Sequence, residues 1–364
     1  MIEHKICTNC VMDTTAANIT FNSQGRCNYC LDFEEKIRKY KSSKPSLTNL
    51  LNKIKNKKKK YDCIIGLSGG VDSSFAVHKA VQCGLKPLVV HMDNGWNSEL
   101  AQNNIENLVK KLNLDLYTYV IDWTEYKSFM NSFFESNVID IELLMDNAMI
   151  SVNYNQASKN NLNYILAGTN LTSEGMKMPI NMNWLKYDKK NIKNIIKKFG
   201  NHKFKTYPSI GTFNLIYYIL IKRIRWTSFL DYFDYNKFEA EKILKENYNF
   251  KPYPYKHYES VFTRFYQGYI LPKKFNIDKR ILHYSTLILS ESLSRNEAIN
   301  ELNNNSPYSS SEQLESDKQY FLKKLDWTES KLNLYLKEPR IEHSQYGSEK
   351  SLYKLMLKIY KFLN

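Results

Sequence analysis

The sequence predicts a doubly wound α/β domain, a parallel sheet covered by helices on both faces, followed by a mostly helical second half. Two observations carry this reading. Between residues 61 and 168 short apolar runs alternate with amphipathic helical stretches, the pattern of strands joined by crossover helices. From about residue 191 the periodicity becomes helical and is broken by loops rich in Tyr, Pro and Lys. A third observation, four cysteines in two tight pairs near the start, predicts a small metal-binding module ahead of the sheet.

The pairs are Cys7-Thr8-Asn9-Cys10 and Cys27-Asn28-Tyr29-Cys30, with sixteen residues between them. A two-residue gap lets both thiolates of a turn face one ion, and two such turns complete a tetrahedral set of four sulfurs. Gly25 suits a tight turn before the second pair. Four thiolates leave no open coordination position, so the expected ion is a structural zinc held by Cys7, Cys10, Cys27 and Cys30. The spacing also admits an iron–sulfur cluster or a redox dithiol. A helix is expected over 31–41. Residues 46–60, ending in four lysines, read as a basic linker or solvated helix.

The strands are expected at 61–67, 87–92, 116–121 and 164–168, with helices at 73–83, 101–112 and 143–159. The expected organisation is a cysteine module at 1–45, a linker at 46–60, an α/β domain at 61–190 and a helical region at 191–364. Within the last, 213–221 is apolar and is followed by Lys222, Arg223 and Arg225. It is too short to span a bilayer. It reads as a buried helix, with a membrane-surface anchor as the alternative.

The chain has 364 residues, of which 43% are apolar and 24% charged, as in ordinary globular enzymes. The formal net charge is +15. In a sequence this rich in Lys, Asn, Ile and Tyr, that charge is either a diffuse compositional bias or a basic face for a polyanion. The N-terminal residues lack the apolar run of a secretory signal, and no stretch reaches the length of a membrane span. The expected compartment is the cytoplasm, where disulfides are rare. Cys63 and Cys83 read as small buried hydrophobes.

The segment Ser68-Gly69-Gly70-Val71-Asp72-Ser73-Ser74 lies between an expected strand and an expected helix. Glycines let the backbone approach an anion, and the helix N-terminus adds free N–H groups and a positive dipole end. Ser68, Ser73 and Ser74 offer hydroxyls to phosphate oxygens. Asp72 belongs beside a magnesium ion. The pattern lacks the Lys of a Walker loop. It resembles the signature of the PP-loop (adenine nucleotide alpha hydrolase-like) ATP pyrophosphatases, whose members split ATP between its α and β phosphates and adenylate a substrate oxygen. His91, Met92 and Asp93 follow the second strand, where the superfamily holds adenine. Gly168, Thr169, Asn170 and Glu174 follow a later strand at the same edge.

Within that superfamily the chain is similar to the N-acetyl sugar amidotransferases of bacterial surface-glycan biosynthesis. The likeness rests on 7–15, on the 68–74 loop, on 168–175 and on a late block. That block holds His257, Glu259, Arg264, Lys279 and Arg280 and runs on to His283 and Ser285. It departs from the family pattern at Tyr255-Lys256 and at Ile281-Leu282. The resemblance implies an enzyme that uses ATP, magnesium and structural zinc to turn an acetamido sugar into an acetamidino sugar. Lipopolysaccharide sugars and flagellin nonulosonic acids are the implied substrates. It also implies ammonia supplied by a separate glutaminase with a cyclase-like partner. The late cations would hold substrate anions, while His257 or Glu259 would manage protons. Nucleic acid is not an expected partner. A PP-loop tRNA-modifying enzyme is the alternative, and a catalytically inactive scaffold is a third reading.

Overall fold

In a computed structural model the described residues are 4–44, 46–55, 58–200, 203–254, 258–308 and 310–363. The chain begins with the cysteine module, then α1 (Asn28–Ser42) and α2 (Leu47–Ile54). The alternating part follows: β1 (Cys63–Gly66), α3 (Val71–Gln82), β2 (Pro87–Asp93), α4 (Glu99–Leu112) and β3 (Leu116–Val120). Next come α5 (Trp123–Glu135), α6 (Leu143–Lys159), β4 (Tyr164–Ala167), α7 (Leu171–Glu174), α8 (Lys189–Phe199), α9 (Thr212–Ile216) and β5 (Arg225–Ser228). The rest is helical: α10 (Lys237–Tyr248), α11 (Val261–Phe265), α12 (Leu271–Phe275), α13 (Lys279–Leu289), α14 (Arg295–Asn304), α15 (Ser311–Leu325), α16 (Glu329–Lys337) and α17 (Lys350–Leu363).

All strands pair in parallel, in the order β3-β2-β1-β4-β5. The chain first winds outward from β1 to β3, then returns to lay β4 on the other side of β1. The direction reverses between β1 and β4, and in sheets of this kind ligands bind at such a switch point, outside the carboxyl ends of the strands. Side chains alternate across the sheet. Ile65, Val89 and Leu166 face a core built with α3, α4 and α10, whereas Ile64, Val90 and Ile165 face one built with α6 and α17. Central strands are covered on both faces, which explains their unbroken apolar runs. The predicted doubly wound sheet is present.

Three local expectations differ from the structure. The linker at 46–60 contains α2, whose Leu50 and Ile54 are buried against the α3 side of the sheet. The sheet draws a fifth strand, Arg225–Ser228, from the segment expected to be helical. Its polar edge-strand sequence carries no alternation to reveal it. The apolar run 213–221 continues α9 as a wider helical turn, but it is not a buried helix. Leu215 is buried, while Phe213 is 72% and Ile221 70% exposed. Among the described residues no helix is long and apolar enough to cross a membrane.

Candidate active site and metal centre

The loop from β1 to α3 is shaped by its own hydroxyls. Ser68 N–H donates to Ser73 Oγ at 3.2 Å, Gly70 N–H to Ser68 Oγ at 3.3 Å, and Ser73 Oγ to the Gly70 carbonyl at 3.2 Å. Gly69 has φ +85°, and a Cβ there would meet the Ala101 carbonyl at 2.7 Å. Only glycine fits that turn. Asp72 sits in the first turn of α3, where the helix dipole favours a negative charge. Ser68 is exposed at the crevice, but Ser74 is fully buried, and its hydroxyl makes no hydrogen bond among the described groups.

Two tyrosines that the sequence reading passed over grip this loop. Tyr235 donates its hydroxyl to the Asp72 carboxylate, and Tyr253 donates to the Gly69 carbonyl at 2.9 Å. Burial, then the charge of Asp72, pushes the Tyr235 phenol far above its usual range, so it stays a donor. Both come from Tyr-rich segments flanking α10, with no motif spacing to flag them.

The later sheet edge meets the loop directly. A Cβ on Gly168 would stand 2.6 Å from the Asp72 backbone, so β4 and α3 touch there only because residue 168 is glycine. Asn170 caps α7, accepting from Ser173 N–H at 2.8 Å, and Thr169 Oγ1 lies 3.0 Å from Ser228 Oγ. Asp231 takes the Leu171 N–H at 2.6 Å and holds the turn down. Glu174 is exposed and close enough to Tyr235 to act on its charge state.

Glu259 reaches the same place from the late block. Residues 259–261 lie alongside 96–98: Ser98 N–H donates to the Glu259 carbonyl at 2.9 Å and Val261 N–H to that of Trp96 at 2.9 Å. A Cβ on Gly70 would stand 3.3 Å from Glu259 Oε1. His257 lies outside the described residues. The block's cations are engaged in ion pairs. Arg264 forms a bidentate pair with Asp317, with Nη2–Oδ1 at 2.6 Å, under the Tyr258 ring. Lys279 pairs with buried Glu142 at 2.7 Å, and Arg280 folds onto Asp278 at 2.7 Å. These pairs satisfy the guanidinium groups and the ammonium within the protein.

His91 is held by partners on both ring nitrogens. Its Nδ1–H donates to the Leu67 carbonyl at 2.8 Å and its Nε2 accepts from Asn97 at 3.0 Å, the tautomer these partners require. Burial lowers its pKa, keeping it neutral. Asp93 accepts from Gly95 N–H and so closes the turn after β2. Met92 is half-buried beside it. A cleft of about 360 Å³ opens between α4 and the β2–β3 edge, lined by His91, Asp93, Gln102, Ile105 and Thr118.

The four N-terminal cysteines converge. All are fully buried, and their sulfurs lie within 4.8 Å of one another, with Cys7–Cys30 at 3.6 Å and Cys10–Cys27 at 3.8 Å. A zinc ion with bonds of ~2.3 Å needs sulfurs roughly 3.8 Å apart in a tetrahedron. Backbone N–H groups point at the sulfurs, including Met12 to Cys10 at 3.3 Å and Cys27 to Cys7 at 3.2 Å. Such donors stabilise thiolates. Gly25, at φ +76°, makes the turn that presents the second pair. The cluster is compatible with a structural metal. Its module is bolted to the rest: Arg295 donates to the Cys7 and Cys10 carbonyls, and Val11 N–H donates to Ser285 Oγ. From α1, Tyr40 donates to the Asp231 carbonyl and Lys36 to that of Gly175.

A family model for NAD synthase matches residues 43–178, and one for the C-terminal domain of LPS biosynthesis protein WbpG-like proteins matches 259–360. The two fall on the loop-bearing sheet and on the late block that delivers Glu259. Together the two matches support an N-acetyl sugar amidotransferase-type family of PP-loop proteins. The match to the NAD synthase model supports an ATP-using enzyme of the ligase or amidotransferase kind. An uncharacterized protein of Methanocaldococcus jannaschii is 30% identical over 122 residues, 33% of this chain and 44% of that protein, so the match spans less than half of the relative. Among solved structures, NMN synthetase from Francisella tularensis is 16% identical at a TM-score of 0.27, covering 61% of this chain and 92% of its own. The U34-tRNA thiolase NcsA from Methanococcus maripaludis with its [4Fe-4S] cluster is 11% identical at 0.35, covering 90% of each chain. Superpositions this loose carry no argument about function.

Proposed function

We propose that this enzyme adenylates the acetamido oxygen of an N-acetylated sugar and lets ammonia displace AMP, giving an acetamidino sugar for a bacterial surface glycan. The observation that carries the reading is the meeting of three segments at the switch point: the 68–74 loop, the turn after β4, and Glu259 from the late block. The β and γ phosphates of ATP would lie on the free N–H groups at the start of α3, beside Ser68 and Ser73. The cleft beside His91 and Asp93 has room for the adenosine. Asp72 and Glu174 would hold magnesium, which supplies charge neutralisation on the polyphosphate when bound. The zinc assigned to the four cysteines has a structural role.

An amide is a poor electrophile. Attack of its oxygen on the α phosphorus breaks the bond to pyrophosphate and leaves an imidate-like carbon. Ammonia adds to that carbon, the C–O bond breaks, and the amide oxygen departs on AMP. Glu259, facing Gly70, is placed to take a proton from the attacking ammonia. The salt bridges of Arg264, Lys279 and Arg280 favour a supporting role for them over direct substrate contact. Ammonia would come from a separate glutaminase with a cyclase-like partner. The proposed compartment is the cytoplasm.

The test is release of AMP and pyrophosphate from ATP and magnesium with ammonium salts and a panel of free and nucleotide-linked acetamido sugars. The expected result is sugar-dependent AMP, a product with one oxygen exchanged for NH, and loss of both in Asp72→Ala. AMP release on bulk tRNA but on none of the sugars would overturn the assignment.

A further inference from the structure

Exposed apolar side chains gather where the second half of the chain covers the α6 side of the sheet. The α9 segment and α17 pack together there. Leu215, Ile224 and Met356 are buried in one cluster, and Glu349 accepts the Thr212 N–H at 2.6 Å. Each segment also turns apolar side chains outward. Phe213, Tyr217, Leu220 and Ile221 recur at helical spacing and are 72%, 45%, 36% and 70% exposed. On α17, Leu355 and Ile359 stand one turn apart and are 55% and 48% exposed. Proteins that stay monomeric in water seldom expose such a concentration.

The charge around these side chains identifies what covers them. Neither 212–226 nor 350–363 contains an Asp or Glu, although the chain holds 37 in 364 residues. Arg223, Arg225, Lys354 and Lys358 are exposed beside the apolar stripes, and Lys222 is half-exposed. A helix with an apolar stripe bordered by lysines lies in a membrane interface, its apolar face among acyl chains and its cations against anionic headgroups. A protein partner would cover the apolar groups equally well but would not call for the exclusion of acids from both segments. No described helix is long enough to cross a bilayer, so contact is lateral.

We propose that the face formed by 213–225 and α17 docks this enzyme reversibly on an anionic membrane surface. The idea stands apart from the amidation reaction, because the face uses none of the loop residues.

The experiment is co-sedimentation of the full chain with vesicles of phosphatidylcholine alone or mixed with phosphatidylglycerol, at low and high salt. The expected result is binding to the anionic vesicles only, reduced by salt. Arg223→Glu with Lys354→Glu, and separately Ile221→Ser with Leu355→Ser, should each weaken partition by about tenfold or more while the thermal unfolding profile is kept. Equal binding to both vesicle types, or binding indifferent to these substitutions, would overturn the proposal. So would absence of lipid binding together with a dimer in solution that the same substitutions dissociate.

Discussion

Asp72 carries the sharpest residue-scale consequences. Its carboxylate is set by the helix start and by the Tyr235 hydroxyl. Asp72→Asn keeps the shape but removes the charge, and should lower ATP-dependent turnover on the order of 100-fold in steady-state assays. Tyr235→Phe deletes one charge-assisted hydrogen bond, worth about 2 kcal/mol, and should cost roughly tenfold in turnover with a far smaller change in KM for ATP. A similar loss of stability without loss of turnover would make Tyr235 a packing residue. Gly168→Ala forces a methyl into the Asp72 backbone. It should cost about 1–3 kcal/mol of stability in denaturant titrations and displace the loop. His343 gives a pH signature. Buried between Asn191 and the Asp140 N–H, it is pulled down to about 3, burial being the main cause. The folded chain keeps it neutral, while the unfolded chain takes up a proton below about pH 6.5. Stability is thus full above that value and falls as pH drops, by up to about 1.4 kcal/mol per unit. Urea midpoints at pH 7 and 5.5 should diverge, and less so in His343→Asn.

At the scale of elements, the cysteine module acts as a brace. Its sulfurs order a loop of roughly two dozen residues whose carbonyls Arg295 reads and whose helix α1 touches Asp231 and Gly175 beside the site. Metal analysis should find one zinc per chain, absent in Cys27→Ser. That variant should lose turnover along with a lowered Tm, because α1 then no longer seats the turn after β4. Retained zinc with iron and sulfide absent would also separate the single-ion assignment from a cluster.

At the scale of the whole molecule, the sheet draws on residues from both sides of the change in composition near 190. β5 and the buried Phe229, Leu230 and Leu244 complete the sheet and the α3-side core from beyond residue 190. A chain ending at residue 200 should therefore be poorly soluble, or lack the near-ultraviolet circular dichroism of fixed aromatic packing. A chain that runs through α17 should be soluble and show that near-ultraviolet signal.

The sequence alone determined the doubly wound sheet, the ATP-type loop, the cysteine cluster and the late block. Each is written locally, as apolar runs of strand length, as a glycine turn between strand and helix, or as thiols spaced for one ion. It did not determine β5, the half-open course of 213–221, or the grip of Tyr235 and Tyr253, because these depend on partners over a hundred residues away. It set Arg264, Lys279 and Arg280 beside Glu259 as one group but did not name the carboxylates that pair with the cations. Glu259 was carried to Gly70 by the pairing of 259–261 with 96–98, while the cations met Asp317, Glu142 and Asp278. A cation near the core must find a counter-charge. Which carboxylate supplies it is a fact of tertiary packing that no local pattern records.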